Sequence, residues 1–280
     1  MIKLITDSTS YIPVEYIKEN DIRIVPLHVL YMDEEFEEGL PGSYDEFFDS
    51  FTKTKIFPKT SQPSLESFIN AYNEVIDNGD EAIVLTISSS LSGCYSTANL
   101  ARNECKNPEK ISIIDSASCG QVICGYVMEA VDMIKQGKTR EEILDYIEKL
   151  KLNSMIAFVP DSLEYLRRGG RIGKVTAALG SILQLKPILT FKNGVLSCSK
   201  KIFGGANKAI QELFSMIPKT FKRLFVIHIA KTVNYDLLKE KVVTKFPNIE
   251  PVEGEMGPVI ATHIGPAIGL CWISEGDGND

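Results

Sequence analysis

The stretch Ile83–Ala98 constrains the fold of this chain more than any other. Residues Ile83–Ile87 form an apolar run rich in β-branched side chains, which predicts a buried strand. Ser88–Ser90 follow, and Ser92-Gly93 then leads into a helical pattern that includes Ala98. The first N–H groups of a helix lack partners within it, and the helix dipole favours negative charge. A strand that ends in hydroxyls at the start of a helix is therefore a ready anion site.

The same succession of strand, hydroxyl-rich loop and helix occurs twice more in the first half of the chain. Residues 2–6 read as a strand that leads into Ser8–Ser10, and Ile111–Ile114 leads into Ser116–Ser118. Strands that alternate with helices predict a parallel sheet with helices on both faces. Ligands on such sheets bind at the carboxyl ends of the strands, and all three serine-rich loops lie there.

Capping residues indicate where several helices begin. Ser43 and Thr139 each have a glutamate three residues on, which is the spacing of a capping box. Ser64 precedes apolar residues at helical spacing, so a helix is expected to begin there as well. The acidic residues 33–39 predict an exposed hairpin or sheet edge.

The pattern changes near residue 150. A short helix is expected at about 174–183, and Asn193-Gly194 reads as the turn of a β-hairpin. A strand is expected at 248–252 and a short helix at 256–261, before a last strand. Helices and strands in this order indicate an α+β unit on a mixed sheet.

These patterns together predict an α/β protein of two lobes. Residues 1–152 are expected to form a three-layer α/β/α lobe on a parallel sheet. Residues 153–280 are expected to form an α+β lobe on a mixed sheet.

Composition and charge exclude several classes of protein. The chain has 280 residues and a net charge of −7, which argues against a general nucleic-acid binder. No apolar run approaches the ~18 residues of a membrane span, and the first residues read as a strand rather than a secretion signal. The 6 cysteines are scattered without CxxC spacing, so reduced thiols are expected rather than disulfides or a metal site. We therefore expect a cytoplasmic protein.

The motifs of common catalytic sites are incomplete. A nucleophile elbow has the pattern G-x-S-x-G, but Ser90 stands where the first glycine would precede Ser92. A Ser-His-acid triad stays open, because geometry alone defines it. A Walker A loop ending at Gly173-Lys174 would need glycine at Arg168 and a hydroxyl at Val175. The sequence thus carries no nucleotide-binding signature.

Histidines and arginines leave alternatives open. His28 and His228 lie in apolar strand patterns and are expected to be structural. His263 is expected in a loop between a helix and the last strand, where it could donate to an anion, act as a base or bond a backbone carbonyl. The run Arg167–Arg171 reads either as a helix end stopped by glycine or as a basic patch for an acidic partner.

Taken together, several of these stretches resemble the DegV family, and the similarity covers essentially the whole chain. They occur in the family's order: Asp7-Ser8, Thr60-Ser61-Gln62-Pro63-Ser64, Ser89-Ser90-Leu91-Ser92-Gly93-Cys94-Tyr95, Gly169-Gly170-Arg171-Ile172-Gly173-Lys174, Lys186-Pro187-Ile188 and His263-Ile264-Gly265-Pro266. The chain departs from the family pattern at Cys94, at Val122 and in Gly265–Gly269, which is one residue shorter than the common loop.

The resemblance implies a DegV-like fold with a long-chain fatty acid, such as palmitate or an eighteen-carbon acid, held between the two lobes. Thr60, Ser61, Ser92 with Gly93, and His263 would bind the carboxylate, and Arg171 would lie near the pocket mouth. The protein would have no catalysis and no other cofactor of its own. It would present the acid to a separate ATP-binding fatty acid kinase subunit, with no nucleic-acid partner. A transient membrane contact during lipid exchange stays open.

The acyl tunnel is expected in the second lobe. Its expected lining is Phe158, Leu163, Ile182, Leu183 and Ile188, although plain core is the favoured interpretation for each of these side chains. Two other functions are weighed against the carrier. One is an enzyme subunit for another small molecule that uses His263, by analogy with dihydroxyacetone kinase lobes. The other is a regulatory module for which the lipid is only a structural plug.

Overall fold

The computed structural model describes residues 1–54, 56–172, 175, 185–192 and 194–276. Its strands are β1 (Ile2–Asp7), β2 (Arg23–Val25), β3 (His28–Tyr31), β4 (Glu34–Glu37), β5 (Lys59–Ser61), β6 (Glu81–Thr86), β7 (Ile111–Asp115), β8 (Met155–Pro160), β9 (Leu185–Lys192), β10 (Val195–Phe203), β11 (Arg223–Ile229), β12 (Val252–Glu255) and β13 (Ala267–Ile273). Its helices are α1 (Val14–Glu19), α2 (Asp45–Lys53), α3 (Leu65–Ile76), α4 (Cys94–Asn103), α5 (Gln121–Lys135), α6 (Arg140–Asn153), α7 (Glu164–Arg168), α8 (Ala206–Ser215), α9 (Val233–Lys245) and α10 (Pro258–Ile264), with 3-10 turns at Ser8–Ser10 and Pro108–Lys110.

The first lobe is built on the predicted parallel sheet. Its strand order is β2-β1-β6-β7, and every pairing in it is parallel. The central strand β6 is buried through Ala82–Thr86 because helices cover it, as the uninterrupted apolar run predicts. The carboxyl ends of β1, β6 and β7 meet at one edge, which brings the three serine-rich loops together.

The second lobe is built on a mixed sheet, also as predicted. The strand order is β10-β9-β8-β13-β11-β12; β11 and β12 run parallel, and the other neighbours run antiparallel. Strands β9 and β10 pair antiparallel as expected of a hairpin, and residue 193 of the predicted turn lies outside the described residues. Helices α8 and α9 pack on this sheet over a second core cluster that includes Ile188 and Trp272.

Helix α5 joins the two lobes. It contacts β1 and β6 of the parallel sheet and β8, β11 and β13 of the mixed sheet. Residues Gln121–Val131 are all buried, which accounts for its largely apolar sequence. Gly125 allows the close approach to β13, because a Cβ there would lie 2.3 Å from Ile273 Cγ1.

The first lobe also contains a small antiparallel sheet of order β4-β3-β5. Thr60 on β5 pairs with Val29 on β3, and this register fixes the position of the Thr60 side chain. Strand β4 is exposed throughout, as its acidic sequence predicts. Glu38, immediately after it, is the exception in the acidic run, since it is only 3% exposed.

Predicted helix starts are confirmed at two capping residues and wrong at a third. Ser64 accepts from the N–H of Ser67, and Thr139 forms the full capping box. Ser43 is not a cap: helix α2 has Tyr44 at its N-cap position without a side-chain cap, and the Ser43 hydroxyl donates to the carbonyl of Leu40 instead.

Three further expectations meet the structure differently. The strand expected at 248–252 lies at Val252–Glu255, and the helix expected at 256–261 is Pro258–Ile264. His263 is therefore in the last turn of α10 and not in a loop. The helix expected at 174–183 falls outside the described residues except at residue 175. The lobe boundary between residues 152 and 153 stays a prediction.

Candidate functional site

A cavity of about 330 Å³ lies at the carboxyl end of the parallel sheet, where β5, the loop after β6 and α10 come together. All six residues predicted for the ligand site line it: Thr60, Ser61, Ser92, Gly93, Arg171 and His263. The other lining residues are apolar except for Gln62. The apolar ones are Leu27, Ile87, Leu91, Cys119, Leu166, Phe191, Leu196, Val259, Ile260 and Ile264. The cavity is thus polar at one end and apolar elsewhere.

The polar end is organised by a contact between two distant parts of the chain. His263 Nε2 lies 2.8 Å from Thr60 Oγ1. The other ring nitrogen, Nδ1, is buried and has no hydrogen-bond partner in the part of the chain that the structure describes. No carboxylate orients the ring there, so the arrangement of a Ser-His-acid triad is not present among these residues.

His263 is held in its neutral form. Burial, which is the larger cause, and the positive charge of Arg171 together lower the pKa of His263 to about 4. A neutral imidazole has one N–H to donate. If that N–H is on Nε2, Thr60 accepts it, and the Thr60 hydroxyl is then free to donate into the cavity. The pair can therefore offer a hydrogen bond to an anion without a formal positive charge.

The loop after β6 contributes Ser92 and Gly93. The Ser92 hydroxyl accepts from the N–H of Cys94, so it is fixed at the start of α4. Gly93 packs directly against the side-chain amide of Gln62, which would have to move to make room for a Cβ at this position. The Gln62 amide in turn donates to the hydroxyl of Thr97 at 2.6 Å. Gln62 belongs to the stretch Thr60–Ser64 that resembles the family, but it was not predicted to line the site.

The serines before Ser92 have another role. The hydroxyl of Ser88 donates to the carbonyl of Gly194 at 3.0 Å, and that of Ser90 donates to the same carbonyl. These bonds tie the loop after β6 to the β9–β10 hairpin of the second lobe.

Arg171 lies at the rim of the cavity and is exposed. Its guanidinium donates to the carbonyl of Gly169 at 2.8 Å and to the carbonyl of Leu91 at 3.3 Å. Arg168, in contrast, is paired with Glu164 at 2.6 Å and lies over the ring of Phe57. The arginine run is therefore not one uniform basic patch.

A buried carboxylate to which the sequence analysis assigned no role, although Asp7-Ser8 is among the stretches that resemble the family, supports the site. Asp7, at the end of β1, is fully buried and accepts from the N–H of Ile87 at 2.6 Å and from the thiol of Cys94 at 3.4 Å. Burial raises the pKa of Asp7. Its position at the carboxyl end of a strand, before Ser8, is the one signal that could have indicated it.

The expected acyl tunnel is only partly supported. Phe158 lines a small apolar cavity that shares Ile264 with the candidate ligand cavity. Leu163 and Ile188 do not line the ligand cavity; Leu163 packs against the first core cluster, and Ile188 belongs to the second. Residues 182 and 183 lie outside the described residues.

No group of three or more His, Cys, Asp or Glu side chains is placed to hold a metal ion within the described residues. Across the same residues, the helices are all too short or too polar to cross a bilayer.

The fold and the site define a two-lobed α/β protein whose apolar cavity is closed at one end by hydroxyls and a neutral imidazole. The chain belongs to the DegV family. The family model described as "Uncharacterised protein, DegV family" matches residues 1–275.

Similar proteins have been named and solved. Protein DegV of Bacillus subtilis (strain 168) is 32% identical over 279 residues, which cover 97% of this chain and 98% of that protein. A Thermus thermophilus structure, described as fatty acid binding of a DegV family protein, is 30% identical with a TM-score of 0.88 and covers 98% of this chain and 99% of its own. A stearic acid-binding protein from Eubacterium ventriosum is 26% identical, with a TM-score of 0.88 over 98% and 99% of the two chains.

Proposed function

We propose that this protein binds one long-chain fatty acid, with the carboxylate at the polar end of the cavity and the acyl chain among its apolar residues. The observation that carries the proposal is the contact of Thr60 with a neutral His263 at the end of an otherwise apolar cavity. Solved relatives described as fatty-acid-binding proteins support it.

The donors present suit a buried carboxylate. A carboxylate removed from water is costly unless several hydrogen bonds replace its hydration. In this proposal the hydroxyls of Thr60, Ser61 and Ser92 and the backbone at Gly93 supply them, and His263 orients Thr60. These donors are uncharged, so an empty cavity contains no unpaired buried cation at its polar end.

The apolar lining suits the acyl chain. Each buried methylene contributes about 0.8 kcal/mol, so a sixteen-carbon chain contributes roughly 10 kcal/mol before ordering costs. The lining comes from both lobes, with Leu27 and Ile87 on one side and Phe191 and Ile264 on the other. This supports a ligand between lobes that divide near residue 152, with palmitate or an eighteen-carbon acid as the expected occupant.

We also propose that the protein is a carrier and not an enzyme. Its place would be the cytoplasm, where a separate ATP-binding kinase subunit phosphorylates the bound carboxylate. The support is indirect: the sequence carries no nucleotide-binding signature, and Arg171 is exposed at the rim, where such a partner would approach.

Calorimetric titration after removal of lipid tests the binding proposal. Palmitate and stearate should bind with one site per chain, and methyl palmitate should bind at least about tenfold more weakly, because it lacks the ionised head. Equal affinity for the acid and its methyl ester would contradict the proposed carboxylate site, and no binding of either would contradict the function.

A further inference from the structure

The helix that carries His263 is capped by the other lobe. Pro258 is the first residue of α10 and has no N–H, and Gly257 at the N-cap position has no side chain. The next N–H groups are bonded over long distances instead. Val259 N donates to Glu38 Oε1 at 2.8 Å, and Ile260 N donates to the Tyr11 hydroxyl at 3.3 Å. A cap of this kind holds the start of the helix to residues 221 and 249 positions away.

The Glu38 carboxyl is the centre of this arrangement. It is buried, and it accepts from the Ser8 hydroxyl at 2.6 Å and from the Tyr11 hydroxyl at 3.0 Å. The titratable groups that face it are Asp7, Tyr11 and Tyr44, none of which is a cation. Burial raises the pKa of Glu38 to about 7, although its three hydrogen bonds lower it.

The packing around the carboxyl leaves little room for the helix to shift. A Cβ at Gly257 would lie 2.9 Å from Glu38 Oε1 and 2.7 Å from Tyr44 Cζ. Helix α10 is 7 residues long, so only about 10 Å separates this cap from the last turn, where His263 meets Thr60. A change at the cap is therefore transmitted to the ligand cavity by one short rigid element.

We propose that Glu38 is a positioning residue for the ligand site: its carboxylate holds the first turn of α10, and α10 in turn places His263 against Thr60. The inference rests on the proposed function. An ionised carboxylate accepts stronger hydrogen bonds than a neutral carboxyl does. The helix is therefore held more firmly when Glu38 is ionised, and palmitate binds more tightly in that state.

The test compares Glu38→Gln with Glu37→Gln, the same change at an exposed neighbour. Glutamine has the shape of the protonated carboxyl but cannot ionise. We expect Glu38→Gln to bind palmitate about five- to thirty-fold more weakly than wild type at pH 8 and at most about fourfold more weakly at pH 6, where little of Glu38 is ionised. Dividing the Kd of the variant by the Kd of wild type at the same pH removes the effect of the fatty acid's own titration. A Kd equal to that of wild type at both pH values would overturn the proposal. The same loss of affinity at both pH values would also overturn it, because a merely structural effect does not depend on the charge of Glu38.

A ligand-free measurement separates this inference from the proposed function. In protein labelled with ¹⁵N-histidine, the His263 ring signals, assigned with His263→Gln, should move in Glu38→Gln and stay in place in Glu37→Gln. Failure of wild type to bind palmitate would refute the function, but the ring signals would still test the positioning. Tyr11→Phe, which removes the other cap and keeps the ring, should move them too. Unmoved signals in both variants would overturn the inference.

Discussion

The backbone of Gly169 lies directly against the imidazole of His263. A Cβ built on Gly169 would come within 2.5 Å of His263 Nδ1 and 3.1 Å of the carbonyl oxygen of Tyr165. The backbone of Gly169 is in the ordinary right-handed region, so glycine is required there for space and not for conformation. The contact explains why Nδ1 is buried, and it links the arginine-glycine loop to the polar end of the cavity.

Replacement of Gly169 by alanine should therefore disturb the site. The added methyl group must displace the ring of His263 or the end of α7, and overpacking of this kind costs about 1–3 kcal/mol. We expect Gly169→Ala to weaken palmitate binding by about tenfold in calorimetric titration. Gly205→Ala is the matched control, since no atom lies within 4 Å of a Cβ there. Equal affinity of the two variants would show that the ring is not confined by Gly169.

The contact between Thr60 and His263 can be measured with a double-mutant cycle. Thr60→Val keeps the shape of the side chain and removes the hydroxyl, and His263→Gln removes the ring. Each change should weaken palmitate binding by about 1–3 kcal/mol. Because the two side chains act as one unit, the double variant should lose clearly less than the sum. Ser96→Ala, an exposed hydroxyl on α4, should bind as wild type does. Strict additivity would mean that the two groups act separately.

The pKa of His263 has a consequence for stability. It is lowered from 6.5 to about 4, so the unfolded chain takes up a proton at a higher pH than the folded protein does. The contribution of the neutral ring to the free energy of unfolding is complete above pH 6.5 and is lost as the pH falls toward 4. Between pH 7 and pH 4.5 the free energy of unfolding should fall by about 2 kcal/mol more in wild type than in His263→Gln. Parallel urea-denaturation profiles of the two proteins would contradict the assignment.

A substitution at Arg171 should separate fatty-acid binding from presentation of the acid to the proposed kinase subunit. Its guanidinium is exposed at the rim and bonded to two backbone carbonyls, so it is not needed to neutralise the proposed carboxylate. Arg171→Ala should reduce phosphorylation by an ATP-binding fatty acid kinase subunit at least about tenfold, while the Kd for palmitate changes less than about threefold. Arg167→Ala, at another exposed arginine, is the control. An equal loss of binding and phosphorylation in Arg171→Ala would mean that Arg171 contributes to fatty-acid binding itself.

The hydroxyl side chains of the site could be predicted from the sequence, but the residues that position them could not. Ser92 could be predicted because strands and helices alternate and the carboxyl ends of parallel strands meet. Thr60 lies on an antiparallel strand outside that sheet, so only the family resemblance indicated it. His263 was expected in a loop because the predicted helix was placed at 256–261, whereas the helix extends to Ile264, directly before Gly265-Pro266.

The supporting carboxylates were harder to predict for a different reason. Glu38 ends a run of acidic residues that reads as an exposed edge, and only tertiary packing turns this one inward. Asp7 has a polar neighbourhood that fits either a turn or a buried bond to Ile87. The role of Gly169 depends on a side chain 94 positions further along the sequence, and local patterns carry no information about such a contact.

The most direct test is mass spectrometry of the lipid carried by the purified protein, measured on the intact complex and on its solvent extract. The account predicts one fatty acid per chain, palmitate or an eighteen-carbon acid, and its release when the protein unfolds. Thr60→Val with His263→Gln should retain less of it after the same purification. Preparations that carry no acyl chain, and acquire none when palmitate is added, would contradict the account.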